Sequence, residues 1–169
     1  MAPAVPAGAT DPPRWVADEM LGRLARYLRF LGHDTLYVRG LDDASVRKLA
    51  ESTGRVLLTR DHDLAGRTQG ALLLRSVYIV EQLRELRTAY PALSGTVTFD
   101  RCPECNDRLR PWVAPPDSTE LPAGTPRPVD GRPIPVWVCP GCGRRFWEGS
   151  HAPKIRAVVD EAWGGPGSP

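Results

Sequence analysis

Lysine is almost missing from this chain of 169 residues: only Lys48 and Lys154 interrupt a basic set otherwise made of arginine. Arginine carries a planar fork that matches phosphate. Net charge is only +2, so overall charge does not by itself point to a nucleic acid. No run of about 18 apolar residues occurs, which excludes a membrane-spanning helix. The opening, MAPAVPAGATDPP, has no basic region followed by an apolar one, so it does not read as a signal peptide. Its Pro, Ala and Gly content predicts a disordered tail over 1–13, and a cytoplasmic protein is the default reading. Cysteine is scarce, with four in the chain, and no internal repeat is present beyond their pairing. What remains is ordinary for a soluble domain: 41% apolar and 25% charged residues, enough to build a core.

Hydrophobic periodicity organises the first half. Arg14 to Ala17 is a short apolar run ending at Asp18, consistent with a buried strand. Leu21, Leu24, Leu28 and Leu31 then draw one apolar stripe of helical period, stopped by Gly32. Arg23, Arg26 and Arg29 lie off that stripe and are expected to face solvent. Thr35–Val38 reads as a second strand. Asp42 and Asp43 precede a short amphipathic helix with Val46, Leu49 and Ala50, and acid there suits the helix dipole. Arg55–Thr59 is a third strand, almost wholly apolar as a central parallel strand requires. It leads into Asp61-His62-Asp63. Ala71–Leu74 gives a fourth strand, and residues 79–90 another helix. Strands alternating with helices predict an α/β fold, a parallel sheet covered by helices.

Composition shifts after residue 91. Residues 114–135 contain seven prolines and read as a loop or insertion. Ser150 opens a last amphipathic segment with Ile155, Val158, Val159 and Ala162. The expected organisation is an α/β domain over 14–95, a cysteine-bearing unit with the insertion and terminal helix over 96–163, and a tail over 164–169.

The cysteines form two C-x-x-C knuckles, Cys102–Cys105 and Cys139–Cys142. Two thiolates so spaced reach one tetrahedral zinc from a tight turn. Asn106 and Gly143 follow the knuckles as turn formers, letting backbone amides point at sulfur. Thirty-three residues separate the pairs, more than the usual ~15–20, and the proline-rich insertion accounts for the excess. Disulfides need an oxidising compartment, and a redox pair belongs at the end of a βαβ strand. The expectation is a small zinc ribbon whose zinc is structural, since four thiolates leave no open coordination position.

Acids collect at strand ends: Asp18 after the first strand, Asp61 and Asp63 after the third, Asp42 and Asp43 at a helix start. In an open parallel sheet these positions share one edge, where ligands bind. Carboxylates gathered there select a hard cation such as magnesium or manganese. Each acid also has a plain structural reading: Asp18 and Asp43 suit helix N-caps, and Asp61 and Asp63 suit a solvated turn.

Several ordered segments carry a family resemblance. Val16-Ala17-Asp18-Glu19-Met20-Leu21-Gly22-Arg23-Leu24-Ala25-Arg26-Tyr27-Leu28-Arg29 resembles the opening of the Mut-seven C-terminal RNase family, a PIN-like group. Leu58-Thr59-Arg60-Asp61 and Glu81-Gln82-Leu83 resemble its next signatures. Arg101–Asn106, Cys139–Gly143 and Trp147-Glu148-Gly149-Ser150-His151 resemble its zinc-ribbon tail. The resemblance spans residues 14–163 and implies a PIN-like parallel sheet with flanking helices, plus a metal-dependent ribonuclease activity. By motif position Asp18, Asp43, Asp61 and, more weakly, Asp63 are the catalytic acids, with Asp42 a competitor for the second place. The long proline-rich insertion departs from compact members. Some relatives carry an N-terminal ubiquitin-like domain, which thirteen residues cannot form.

Arg23, Arg26, Arg60 and Arg67 surround these acids in sequence and are candidates to hold RNA phosphates, or else a solvated face. Trp147 is expected in the core of the ribbon. His151 is expected to serve packing, with a helix cap, a ribbon sulfur or RNA as alternatives. The reading is a ribonuclease, endonucleolytic, acting on RNA at a magnesium or manganese site beside a structural zinc. A non-catalytic RNA- or protein-binding module is the alternative, and a hydrolase of small phosphates a third. Nothing in the sequence identifies a protein partner.

Overall fold

The computed structural model describes residues 13–112 and 134–164. The expected tails and the proline-rich insertion fall almost wholly outside the described residues. Four short parallel strands form the first sheet: β1 (Trp15–Ala17), β2 (Thr35–Tyr37), β3 (Val56–Thr59) and β4 (Leu72–Leu73). Their order across the sheet is β2-β1-β3-β4. β1 is therefore central, with Trp15 opposite both Thr35 and Val56. All three of its side chains are fully buried.

Alternation along the strands divides the interior in two. Trp15, Ala17 and Leu58 face a larger core with Leu24 and Leu28 of α1 (Gly22–Phe30) and Leu83 and Leu86 of α4 (Ile79–Ala89). Val16 and Leu57 face a smaller one with Val46 and Ala50 of α2 (Asp43–Thr53) and Leu64 of α3 (His62–Arg67). Period two on the strands and period 3.6 on the helices thus meet in a three-layer arrangement. Gly32, at φ 82°, ends the first stripe as expected, and the following His33 amide reaches back to the Leu28 carbonyl at 2.9 Å.

The cysteine-bearing part folds a second, three-stranded antiparallel sheet: β5 (Arg110–Pro111), β6 (Val136–Val138) and β7 (Arg145–Trp147), in the order β5-β6-β7. The last helix, α5 (Ala152–Trp163), follows the ribbon in sequence but buries Val159 and Ala162 in the larger α/β core. Its apolar stripe finds the α4 face there, which the small ribbon cannot offer.

Arg29 departs from the expected outward face. It is 5% exposed. Its guanidinium donates to the Thr35 carbonyl at 2.9 Å and to the carbonyls of Pro103 and Glu104 at 3.0 and 3.1 Å. The fork reaches one strand and the first knuckle at once, which a heptad-like count on α1 cannot reveal. Beside it, Asn106 accepts from the Thr35 amide at 2.9 Å and donates to Asp34 at 2.7 Å. Arg55 grips Asp34 through two bonds, at 2.7 and 3.1 Å. The ribbon is thereby fastened along the β2 edge.

Truncating Arg29 leaves those carbonyls without a charged donor. Arg29→Ala is expected to cost about 2–3 kcal/mol, a drop in melting temperature of roughly 5–10 °C for a chain of this size. Arg29→Lys should recover only part of it, since a point charge cannot span the same acceptors. Thermal melts followed by circular dichroism check this; an unchanged melting temperature for Arg29→Ala would refute the clasp.

Candidate functional site

The chain runs from β1 outward to β2, then returns to place β3 on the other side of β1. The crevice beyond the carboxyl ends of β1 and β3 is thus a topological switch point, where open parallel sheets bind ligands. Asp18 leaves β1 into a short 3-10 turn, Glu19–Leu21, and is 6% exposed. One of its oxygens accepts from the Met20 amide at 3.0 Å, and the other accepts from the Thr59 hydroxyl at the end of β3. The same hydroxyl oxygen accepts from the Asp61 amide at 2.9 Å. Thr59 therefore ties the two strand ends together.

Asp61 caps α3, accepting from the amides of Asp63 and Leu64 at 2.7 and 2.9 Å. Asp42 caps α2, accepting from the Ser45 amide at 2.7 Å. That leaves the side chain of Asp43 uncommitted as a cap. Asp18, Asp43 and Asp61 line one cleft of about 100 Å³ together with Glu19, Met20 and Leu41. Asp42 and Asp63 are not among its walls. Asp63 instead points to solvent and pairs with Arg67 at 3.8 Å, four residues on along the same helix.

The cleft is electrostatically uneven. Burial pushes the Asp18 carboxyl above the ordinary aspartate value, and the nearby Asp61 charge adds to the rise. Asp61 goes the other way, because the Leu64 amide stabilises its charged form. Two carboxylates lining one cleft repel one another, a repulsion that a cation between them would relieve. The donors are hard oxygens, which fit magnesium or manganese. Their oxygens are not gathered as tightly as the thiols: among the described residues, the cysteines are the group of three or more candidate ligands whose atoms all lie within 4.8 Å of one another. A magnesium ion retains several waters and so suits a looser set.

The two knuckles are near copies. The Cys102 and Cys139 amides donate to the Asp107 and Arg144 carbonyls, both at 2.8 Å. The Asn106 and Gly143 amides donate back to the Cys102 and Cys139 carbonyls, both at 2.9 Å. Asn106 and Gly143 sit at φ 76° and 69°, the left-handed turn each knuckle needs. Sulfur–sulfur distances are 3.7 Å for Cys102–Cys142 and 3.3 Å for Cys105–Cys139. A tetrahedral ion with bonds of ~2.3 Å holds its sulfurs ~3.8 Å apart, so the four thiols can hold zinc. Burial pushes the Cys102 thiol up to about 12 and raises Cys139 as well. The Arg144 amide lowers Cys142. Buried thiols of this kind ionise when a metal replaces their protons.

Residues 13–159 match the Mut7-C RNAse domain. The chain belongs to the Mut7-C RNase family. No curated protein and no solved structure matches it.

The four arginines that surround the acids in sequence are dispersed in the fold. None lines the cleft. Arg23 lies over the Tyr27 ring at 5.9 Å, and Arg26 pairs with Glu104 at 2.8 Å. Arg67 pairs with Asp63. Arg60 comes nearest the cleft: its amide supports the Asp18 carboxylate, and its Nε is buried with no hydrogen-bond partner. Glu19, Met20 and Thr59 escaped notice as site residues. The adjacency of Asp18 and Glu19 at a strand end, and the Thr two residues before Asp61, were the available signals.

Two Mut7-C tail residues are also placed otherwise than expected. Trp147 is 37% exposed instead of forming the ribbon core, because β7 is an edge strand of a sheet too small to cover its ring. His151 begins α5 without a side-chain cap and is exposed.

The raised Asp18 carboxyl has a consequence for stability. The fold prefers its neutral form, so stability falls as pH rises from 3.8, the unfolded value, through the higher folded value, and the full penalty persists above it. Asp18→Asn is neutral at every pH. In buffer free of divalent ions it should melt above the wild type at pH ~7, with the gap closing as pH falls toward 3.8. A variant that melts below the wild type at neutral pH would contradict this account.

Proposed function

We propose that this Mut7-C chain is a metal-dependent ribonuclease that hydrolyses RNA phosphodiesters at the Asp18–Asp43–Asp61 cleft. The observation that carries the reading is the shared cleft at the switch point, with Thr59 holding Asp18 in place and positioning Asp61. Asp18, Asp43 and Asp61 would hold magnesium or manganese, which supplies an activated water and neutralises charge on the phosphoryl oxygens. The chain's own part is to fix those ligands. The Met20 amide and Thr59 hydroxyl orient Asp18, and the first turn of α3 orients Asp61. Met20 and Leu41, 55% and 49% exposed, flank the acids with apolar surface. The cleft lies beyond the carboxyl ends of two inner strands, β1 and β3, and cleavage within the RNA chain is the mode of this proposal.

The four cysteines have a separate role in this proposal. They hold a structural zinc that stabilises the ribbon and, through Arg29 and Asn106, the β2 edge. Asp63, Arg23, Arg26 and Arg67 are peripheral on this reading, and Arg60 is the arginine best placed to approach a phosphate.

Metal specificity separates the two centres. Protein purified without added zinc should contain about one zinc per chain, and brief EDTA treatment should stop RNA cleavage before that zinc leaves. Magnesium or manganese should restore cleavage, and zinc alone should not. Asp18→Asn and Asp61→Asn should each lower cleavage by at least about 100-fold while retaining zinc and fold. Cys102→Ser should instead lower the melting temperature. Wild-type cleavage rates in Asp61→Asn would transfer the chain to the non-catalytic binding reading.

A further inference from the structure

A second groove lies at the other end of α1 from the acids. It encloses about 290 Å³ between the ribbon, the last residue of α1 and the start of α5. Phe99, Trp137 and Trp147 give it aromatic walls, and Arg101, Arg145 and His151 give it donors. The Trp147-Glu148-Gly149-Ser150-His151 segment supplies much of one side. Neither the thiol site nor the acidic cleft uses that segment.

We propose that this groove binds one nucleotide of the RNA strand, its base stacked on Trp147 and its phosphate held by Arg145. The inference rests on the ribonuclease reading for its ligand and on the groove for its place.

Aromatic faces beside arginines are how single-stranded nucleic acids are held, with stacking tolerant of sequence. Trp147 presents part of its ring to solvent, and it is held there. Gly149 lies beneath it, where an added Cβ would come within 3.2 Å of the indole Nε1. The Gly149 amide also donates to the Trp147 carbonyl at 3.0 Å. Phe99 sits at φ 51°, a left-handed backbone that is a true outlier for a bulky side chain. Its ring packs on Phe30 at 5.6 Å and lies under Arg156 at 5.1 Å.

Charge favours an anion. The carboxylate of Glu148, which also lines the groove, is taken by Arg156 at 2.8 Å. Arg101 is anchored on the Gly32 and Asn106 carbonyls, both at 3.0 Å. Arg145 is exposed and has no ion-pair partner among the described residues. The position also suits a strand that reaches the acids. Asp18 and Glu19 precede the first turn of α1, whereas Phe30 ends it. The cleft and the groove are thus separated by about 13 Å of helix, at 1.5 Å per residue. Arg23 and Arg26, both exposed, lie along α1 between them.

The test is equilibrium binding of a short fluorescent single-stranded RNA of mixed sequence to the full chain, in buffer without added magnesium or manganese. Trp147→Ala and Arg145→Glu should each weaken binding about ten-fold, in line with the loss of one stack or one phosphate contact. Trp147→Phe should keep most of the affinity. Unchanged zinc content and melting temperature would show that the variants remain folded. Wild-type affinity in both Trp147→Ala and Arg145→Glu would overturn the groove while leaving the acidic cleft intact. Competition by adenosine monophosphate as effective as by RNA would also overturn it, in favour of a free-nucleotide site. If the unaltered chain failed to bind RNA at all, the groove proposal and the ribonuclease reading would fall together.

Discussion

Everything in the first sheet depends on β1 having no exposed side. Its three residues are fully buried and pair in parallel with β2 on one flank and β3 on the other. A strand that short contributes few hydrogen bonds of its own. It is held by two cores, through Trp15 and Ala17 on one face and Val16 on the other. Because it is central, its last residue opens directly into the crevice where the chain reverses its order across the sheet. Asp18 inherits that position from the packing of the three residues before it.

The second dependency is the seam between sheet and ribbon. β2 is an edge strand, and an uncovered edge is a liability. Asn106 meets the Thr35 amide, and Arg29 meets the Thr35 carbonyl. Asp34, Arg55 and Arg101 complete the network around them. Buried polar groups of this sort are stabilising only when satisfied together. Asn106 belongs to the seam and to the first knuckle at once, since its left-handed backbone closes the turn around Cys102 and Cys105. The metal-binding turn and the sheet edge therefore share a residue, which gives the thiol site an influence on the α/β body without any contact with the acids.

The proposed function and stability pull in opposite directions at the acidic edge. Burying Asp18 raises its carboxyl, and Thr59 and two backbone amides only partly offset that cost. A fold optimised for stability alone would place a neutral residue there. Retaining an acid at a buried strand end, against another acid, is understandable where a cation is expected between them. Asp42 shows the contrast: it is exposed, and the Ser45 amide that it caps stabilises its charged form, holding the carboxyl below its ordinary value.

The α/β order, the apolar stripe of α1, the two knuckles and their turn residues were all legible in the chain before it folds. These are local properties: a period of two or 3.6, a Gly at a helix end, two cysteines within one turn. The sequence also confined the acids to strand ends, though it left Asp42 and Asp43 undivided. In the fold Asp42 caps α2 whereas Asp43 lines the cleft, a difference no local pattern carries, because a cap is defined by which amide a carboxylate meets. The same holds for Arg29, which spacing along a helix sends to solvent but which the ribbon, more than seventy residues later, draws inward. Trp147 shows the converse. Its apolar ring reads as core, yet a three-stranded sheet has too little area to cover it, and the ring is left at the mouth of a groove. Side chains whose partners come from distant segments have no signature in local periodicity, and those are the residues that assemble the cleft, the seam and the groove.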